Sequence, residues 1–230
     1  FATPNLTWEK TTQYDVGLDF TIYGINFSFD WFKKSTVDLL FQKQVPYYNG
    51  GGTFWVNQGA LDNTGFELSL NTFVVDRAVK WETSVNATYI KNTIVDLAGN
   101  DFVLTSNYSD LGGAMSIMKP GYPLGSFYVY DWVGFNDEGA NLYRKADGTL
   151  TTAPTSSDLV IKGQATPKWT LGWNNTISWR GLSLNIFFNG AFGMDRLSIS
   201  TLEGFYATEV GTIHSLGGAM FAALLGVMTL

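Results

Sequence analysis

The chain has 230 residues, enough for one large all-β domain with a full core. Charged residues make up only 15%, aromatics reach 16% and the net charge is −6, a balance that argues against a nucleic-acid binder, whose phosphate-facing surface needs clustered Lys and Arg. Cysteine is absent, which excludes a disulfide frame and a thiolate metal site.

The opening "FATPNLTWEK" has neither a basic start nor an apolar core, so it is not a signal peptide. A mature or partial chain is expected. From Tyr14 every second residue is apolar: Val16, Leu18, Phe20 and Ile22. The alternation resumes after Tyr23-Gly24 with Ile25, Phe27, Phe29 and Trp31. A two-residue loop at Tyr23-Gly24 pairs Ile22 with Ile25, so the two apolar sets merge into one face. The other face carries Gln13, Asp15, Gly17, Asp19, Thr21, Asn26, Ser28 and Asp30.

A long connection, residues 35–62, rich in Gly, Asn and Ser and read as irregular, precedes a second hairpin, "GFELSLNTFV" to "VKWETSVNATYI". With Val75 to Ala78 as its loop, Val74 pairs with Val79. Phe66, Leu68 and Leu70 then share a face with Trp81, Val85, Ala87 and Tyr89, and Phe73 interrupts the polar set. A second long connection, residues 91–166, is rich in Gly, Asn and Ser and reads as irregular, apart from a hairpin signal at Asp147-Gly148. The third hairpin turns at Arg180-Gly181 and pairs Trp179 with Leu182. It aligns Trp169, Leu171, Trp173 and Ile177 with Leu184, Ile186 and Phe188. Asn175 on the apolar face and Phe187 on the polar one break its pattern. The apolar end, "SLGGAMFAALLGVMTL", is too short for a comfortable helical span; a packed tail is expected, with a membrane-associated helix as the alternative.

A one-residue slip would invert a strand, so three hairpins agreeing in phase is a demanding test. The expected fold is an all-β, antiparallel up-and-down meander of six strands of roughly ten residues. Alternation alone does not separate a lipid-facing wall from a soluble sheet with one wet face. Three observations favour the wall: a polar face of Ser, Thr, Asn and Gly with few lysines, aromatics (Tyr23, Trp81, Trp179) beside the short turns, and apolar rows long enough to cross a bilayer obliquely. Short turns at one end and long loops at the other are the outer-membrane barrel pattern. The alternative is a small soluble barrel or sandwich that binds ligand with its apolar face inward.

No catalytic constellation appears, so an enzyme is not expected. The single histidine, His214, is read as incidental, and without Cys a zinc site is not expected. "GGAMSIMKPG" and "NGGGT" lack the Lys-Ser/Thr ending of a phosphate loop. Asp131, Asp137 and Glu138 read as solvated loop charges. No cofactor or metal is expected. The candidate binding residues are loop aromatics: Tyr47, Tyr48, Phe54 and Trp55 in the first long loop, and Phe127, Tyr128, Tyr130 and Trp132 in the second. Such rings stack on sugar faces, pack loop against loop, or seat a partner.

Five stretches, in order, resemble one family. They are "PNLTWEKTTQYDVGLDF", "DWFKKSTVDLL", "NQGALDNTGFELSL", "KPGYPLGSFYVYDWVGF" and "DLVIKGQATPKWTLGWNNTISWRGLSLNIFFNGAFGMD". Together they look like TonB-dependent outer-membrane transporters of the SusC-like (RagA-like) branch, in the C-terminal part of the barrel. The resemblance covers residues 3–195 and implies a bacterial outer-membrane barrel of about 22 strands with a plugged lumen, of which this chain is a part. It further implies a plug domain, coupling through TonB, a SusD-like surface lipoprotein as lid, and import of oligosaccharides or other large nutrients. Residues 1–195 are expected to be partial barrel with long loops at about 35–62 and 91–166, and 196–230 an unrecognised apolar tail.

Overall fold

The computed structural model describes residues 6–44, 47–57, 59–108, 113–196 and 220–229. Its main element is a seven-stranded antiparallel sheet. In spatial order the strands are β1 (Lys10–Ile22), β2 (Ile25–Val37), β5 (Ala60–Asp76), β6 (Val79–Asp96), β13 (Trp169–Trp179), β14 (Leu182–Phe192) and β15 (Met220–Thr229). The first six form the expected meander. They run 11 to 18 residues rather than ten or so, because they continue past the apolar band into the long-loop end. The apolar tail becomes the seventh strand, β15, which pairs with β14 from Ala191↔Met220 to Leu182↔Thr229. His214 lies outside the described residues.

Two hairpins have the expected register, Ile22↔Ile25 and Trp179↔Leu182. Their turn residues all have positive φ: Tyr23 at 49°, Gly24 at 77°, Arg180 at 47° and Gly181 at 82°. That is the type I′ geometry whose twist matches the flanking strands. The middle hairpin differs from the expectation. Its loop is Arg77-Ala78, and the strand runs on to Asp76, with a bulge between Phe73 and Val75. Neither Arg77 nor Ala78 has positive φ, so a primed turn is not made there and the bulge at Val74 supplies the extra twist. Leu70 pairs with Val85 rather than Thr83. The shift is by two residues, so each side chain keeps its expected face.

Registers across the meander stack side chains into rows. One apolar row runs Val16, Trp31, Phe66, Tyr89, Trp169 and Phe192 across six strands. Its rings touch: Phe66–Tyr89 centroids are 5.5 Å apart, Phe66–Trp169 5.4 Å and Tyr89–Trp169 4.9 Å. The polar face repeats Asp19, Ser28, Ser69, Asn86, Gly172 and Asn189 in the same way. Gly65 on that face is buried because the Phe32 ring of the adjacent strand covers it; a Cβ there would meet both this ring and the Tyr89 carbonyl.

Nothing described covers the apolar face. Leu18 is 58% exposed, and Val16, Phe20, Ile22, Trp31, Trp173 and Trp179 are exposed with it. Among the described residues the buried apolar ones are Ile94, Leu97, Met115, Ile117, Val129, Tyr143 and Met194, all in the long loops or at the strand ends that meet them. A closed soluble barrel or sandwich needs the wall rows in its core, and they are not there.

Candidate functional site

The wall carries one polar node on its apolar face, at the residue that broke the sequence pattern. Asn175 is only 5% exposed. Its Oδ1 accepts from the Trp81 indole N–H at 3.1 Å and from the Thr83 hydroxyl at 3.0 Å. The Trp173 indole in turn donates to Thr83 Oγ1 at 2.9 Å. Two indoles thus seal an amide whose polar atoms lipid cannot satisfy. For Phe187, the other misfit, the structure offers no explanation.

The long-loop end holds the candidate site, and it is ordered by its own β structure. In the first connection β3 (Leu40–Gln44) pairs with β4 (Thr53–Asn57) as a hairpin, and Tyr47–Asn49 make a 3-10 turn between them. Between β6 and β13 the chain forms β7 (Val103–Tyr108), β8 (Gly113–Met118), β9 (Ser126–Phe135), β10 (Asn141–Arg144), β11 (Leu150–Thr151) and β12 (Leu159–Gln164), with β12 paired to β9. The irregular reading of 35–62 and of 91–166 fails because these strands are short and, in the second connection, bulged, which hides the period-2 signal. The Asp147-Gly148 signal is a true hairpin: Tyr143 pairs with Thr151 and Arg144 with Leu150.

Side-chain clips fasten both loops to the wall. Asn57 accepts from Thr7 N–H at 2.6 Å and donates to Thr7 O at 2.6 Å and Asp38 O at 3.0 Å. Its amide stands in for a backbone unit and ties the lead-in of β1 to the first loop. Glu9 accepts from Leu40 N–H at 2.9 Å, and Lys10 pairs with Asp38 at 2.9 Å. In the second loop Asn92 donates to Asn63 Oδ1 at 2.7 Å and accepts from Leu124 N–H at 2.9 Å. Asp195 exchanges bonds with Gln164, its N–H donating at 2.7 Å and its Oδ2 accepting at 3.1 Å. All of them except Asn92 lie within the five family-like stretches, where the sequence alone assigns them no role. Their signal was an Asn, Asp or Glu at a strand end, next to a long loop. At the foot of the second loop a cavity of about 390 Å³ is lined by Tyr122, Ser126, Gln164, Lys168, Met194 and Asp195, among others.

The candidate aromatics fall into two groups. Tyr47 and Tyr48 stand at the tip of the first hairpin, 97% and 86% exposed, with Trp55 exposed on β4 and Phe54 half-buried. The other four lie along β9, all half-buried. Two of them pack the loop sheet: Tyr130 meets Tyr143 at 5.9 Å, and the Trp132 indole donates to Asn141 at 3.0 Å and its ring meets Phe135 at 5.5 Å. Burial, followed by the charges of Asp158 and Tyr128, pushes the Tyr130 hydroxyl above its ordinary range. Alternation along β9 puts Tyr128 with this pair and Phe127 on the opposite side.

Asp131 is not the solvated charge expected from sequence. It is half-buried between Lys162 and Arg144, the latter at 3.9 Å, and β12 and β10 bring both cations to it. Asp137 and Glu138 are exposed, as expected. Among the described residues no group of His, Cys, Asp and Glu is arranged to hold a metal ion.

A seven-stranded wall with one uncovered apolar face, one polar face, tight turns below and structured loops above is a segment of a transmembrane β-barrel. No helix among the described residues is long and apolar enough to cross a membrane. The sequence matches the family described as "TonB dependent receptor-like, beta-barrel" over residues 1–190, and the chain belongs to that family. It is 31% identical over 226 residues to TonB-dependent receptor P3 of Formosa agariphila, covering 88% of this chain and 22% of that protein. It is 33% identical over 161 residues to TonB-dependent receptor SusC of Bacteroides thetaiotaomicron, covering 64% of this chain and 16% of SusC. Among solved structures, that of the RagAB peptide transporter superposes with a TM-score of 0.74 at 27% identity, over 84% of this chain and 22% of that one. The chain therefore spans about a fifth of the length of the relatives it matches.

Proposed function

We propose that residues 1–195 form wall strands and outward loops of a SusC-like TonB-dependent importer in the bacterial outer membrane. One observation carries the reading: the apolar rows are exposed while the polar rows and the long loops share the other side and one end. Bilayer hydrocarbon covers the first and the aqueous lumen wets the second. The tight turns then face the periplasm and the two structured loops face outward. A plug, TonB and a SusD-like surface lipoprotein are the partners this family membership suggests, and the cargo is an oligosaccharide or another large nutrient. One relative is called SusC and one neighbour a peptide transporter, so both cargo classes enter the test.

Tyr47, Tyr48, Trp55 and Phe127 are the loop rings left to meet cargo or lid, while Tyr128 shares the packed side of β9. Tyr130 and Trp132 serve the loop sheet. The chain contributes positioning and shape rather than a reaction centre.

The test is expression of the gene with an affinity tag, fractionation of the cells, and growth of a deletion strain on single oligosaccharides or on peptides as the limiting nutrient. Recovery in the outer-membrane fraction and a growth defect on one of the two supports the reading. Recovery as a soluble monomer without detergent refutes it in favour of a soluble binding module.

A further inference from the structure

The apolar face changes character abruptly at its long-loop end. From the aromatic row down to the short turns, none of the six meander strands places a charged residue on this face. One pair beyond the aromatic row, the register sets Tyr14, Lys33, Thr64 and Lys91 side by side on β1, β2, β5 and β6. Lys33 stands next to Trp31 on its strand, and Lys91 next to Tyr89. Two cations thus flank a hydroxyl, about 10 Å apart across two strand spacings. Both lysines are exposed. Lys91 has no ion-pair or hydrogen-bond partner among the described residues. Lys33 reaches Asp62 only at 4.0 Å, in the open. In a chain of net charge −6 with 14 Lys and Arg, placing lysines as the first charges above the band on both β2 and β6 gives this edge a local sign opposite to that of the whole.

We infer that Lys33, Thr64 and Lys91 form a docking site for the phosphate of a lipid headgroup whose acyl chains lie down the aromatic row; this rests on the membrane placement proposed above. The phosphate oxygens accept from two ammonium groups and one hydroxyl. The chains run over Trp31, Phe66, Tyr89 and Leu68, apolar surface that nothing else described covers. Charge complementarity selects the headgroup, and continuity with the lipid-facing band selects a lipid over a free anion. Asp62, one step further out on the same face, disfavours a second anionic group there and marks the outer limit of the site.

The experiment is native mass spectrometry of the protein expressed from its own gene and purified in detergent, titrated with dioleoyl phosphatidic acid or with dioleoylglycerol, which shares its chains and lacks the phosphate. The wild-type protein should retain the phosphatidic acid in preference. Lys91→Gln and Lys33→Gln should each weaken that retention about fivefold, and the double variant about 25-fold, with dioleoylglycerol unaffected. Both substitutions are on exposed side chains, and unchanged heat-modifiability on gels checks that the barrel is intact. Retention of phosphatidic acid by the double variant at the wild-type level overturns the site. So does its displacement by inorganic phosphate at equal concentration, since an anion site then suffices. If neither lipid is retained and the protein purifies without detergent, the membrane placement itself fails, and the site with it.

Discussion

Replacing Asn175 by Ala tests whether the wall's polar node stabilises it. Two hydrogen bonds end on Asn175 Oδ1, from Trp81 at 3.1 Å and Thr83 at 3.0 Å. A hydrogen bond is worth about 0.5–1.5 kcal/mol net, and side-chain bonds within membrane proteins average about 0.6 kcal/mol. The losses are unequal. Thr83 keeps a second acceptor, the Asn174 carbonyl at 3.4 Å, whereas the Trp81 indole has no other partner among the described residues. The expected cost of Asn175→Ala is therefore about 1–2 kcal/mol, most of it from the orphaned indole. Reversible urea unfolding of the protein in phospholipid vesicles, followed by tryptophan emission, measures it. A double-mutant cycle with Trp81→Phe isolates the pair, and a coupling of about 1 kcal/mol is expected. Additivity of the two substitutions to within about 0.3–0.5 kcal/mol would refute the reasoning, because residues that share no interaction energy behave that way.

Four further outcomes follow from the geometry. Asn57→Ala removes all three bonds of the first clip and should speed amide exchange at Thr7 by at least about tenfold, matching a loss of about 1.4 kcal/mol, while β13 and β14 amides keep their rates. Tyr23→Asn should stabilise the first hairpin by about 1 kcal/mol in the same unfolding assay, because Asn adopts positive φ more readily and the nearly fully exposed Tyr23 ring is not needed for packing. Arg180→Asn should come out near zero, since it also loses the guanidinium stacked 5.1 Å from the Trp179 ring, a contact of about 0.5–1 kcal/mol. Asp158 accepts from the Thr155 N–H at 2.8 Å and its hydroxyl at 2.9 Å, and these bonds hold its carboxyl below the ordinary carboxylate range. A depressed carboxyl stabilises above its unfolded pKa and loses that stabilisation as pH falls through the folded one. Amide exchange at Thr155 should therefore accelerate below about pH 4, and Asp158→Asn should abolish that acid dependence.

The wall was legible because its physics is periodic. Alternation from Tyr14 to Trp31 sets faces without knowledge of neighbours, and a Tyr-Gly or Arg-Gly turn then sets register. The middle hairpin shows where this stops. Nothing at Arg77-Ala78 marks a turn, so the loop was placed two residues too wide, and only the evenness of the error kept the faces right. Asn175 looked like noise because its meaning lies in Trp81, 94 positions away in sequence. The loops were opaque for a related reason: β8 alternates, with Met115 and Ile117 buried on one face, but is too short to stand out, while β9 buries Ser126 and Val129 on opposite faces and does not alternate. Asp131 could not be assigned partners from sequence, since Lys162 reaches it only through the β12–β9 pairing. For the candidate aromatics, composition announced a cluster, but contacts were needed to separate Tyr130 and Trp132 from the free tip of Tyr47 and Tyr48.

The bulge at Val74 bears on how such a wall changes length over evolutionary time. Removing Val74 would bring Val75 into the ladder directly after Phe73 and leave a regular hairpin that still closes at Asp76↔Lys80. A deletion of one residue in β13 has no such refuge: it would turn Trp169, Leu171 and Trp173 toward the lumen and present Thr170 and Asn174 to lipid. Single-residue insertions and deletions should therefore accumulate among descendants beside Val74 and be purged from β13, where only changes in steps of two leave each strand's inside and outside where they were.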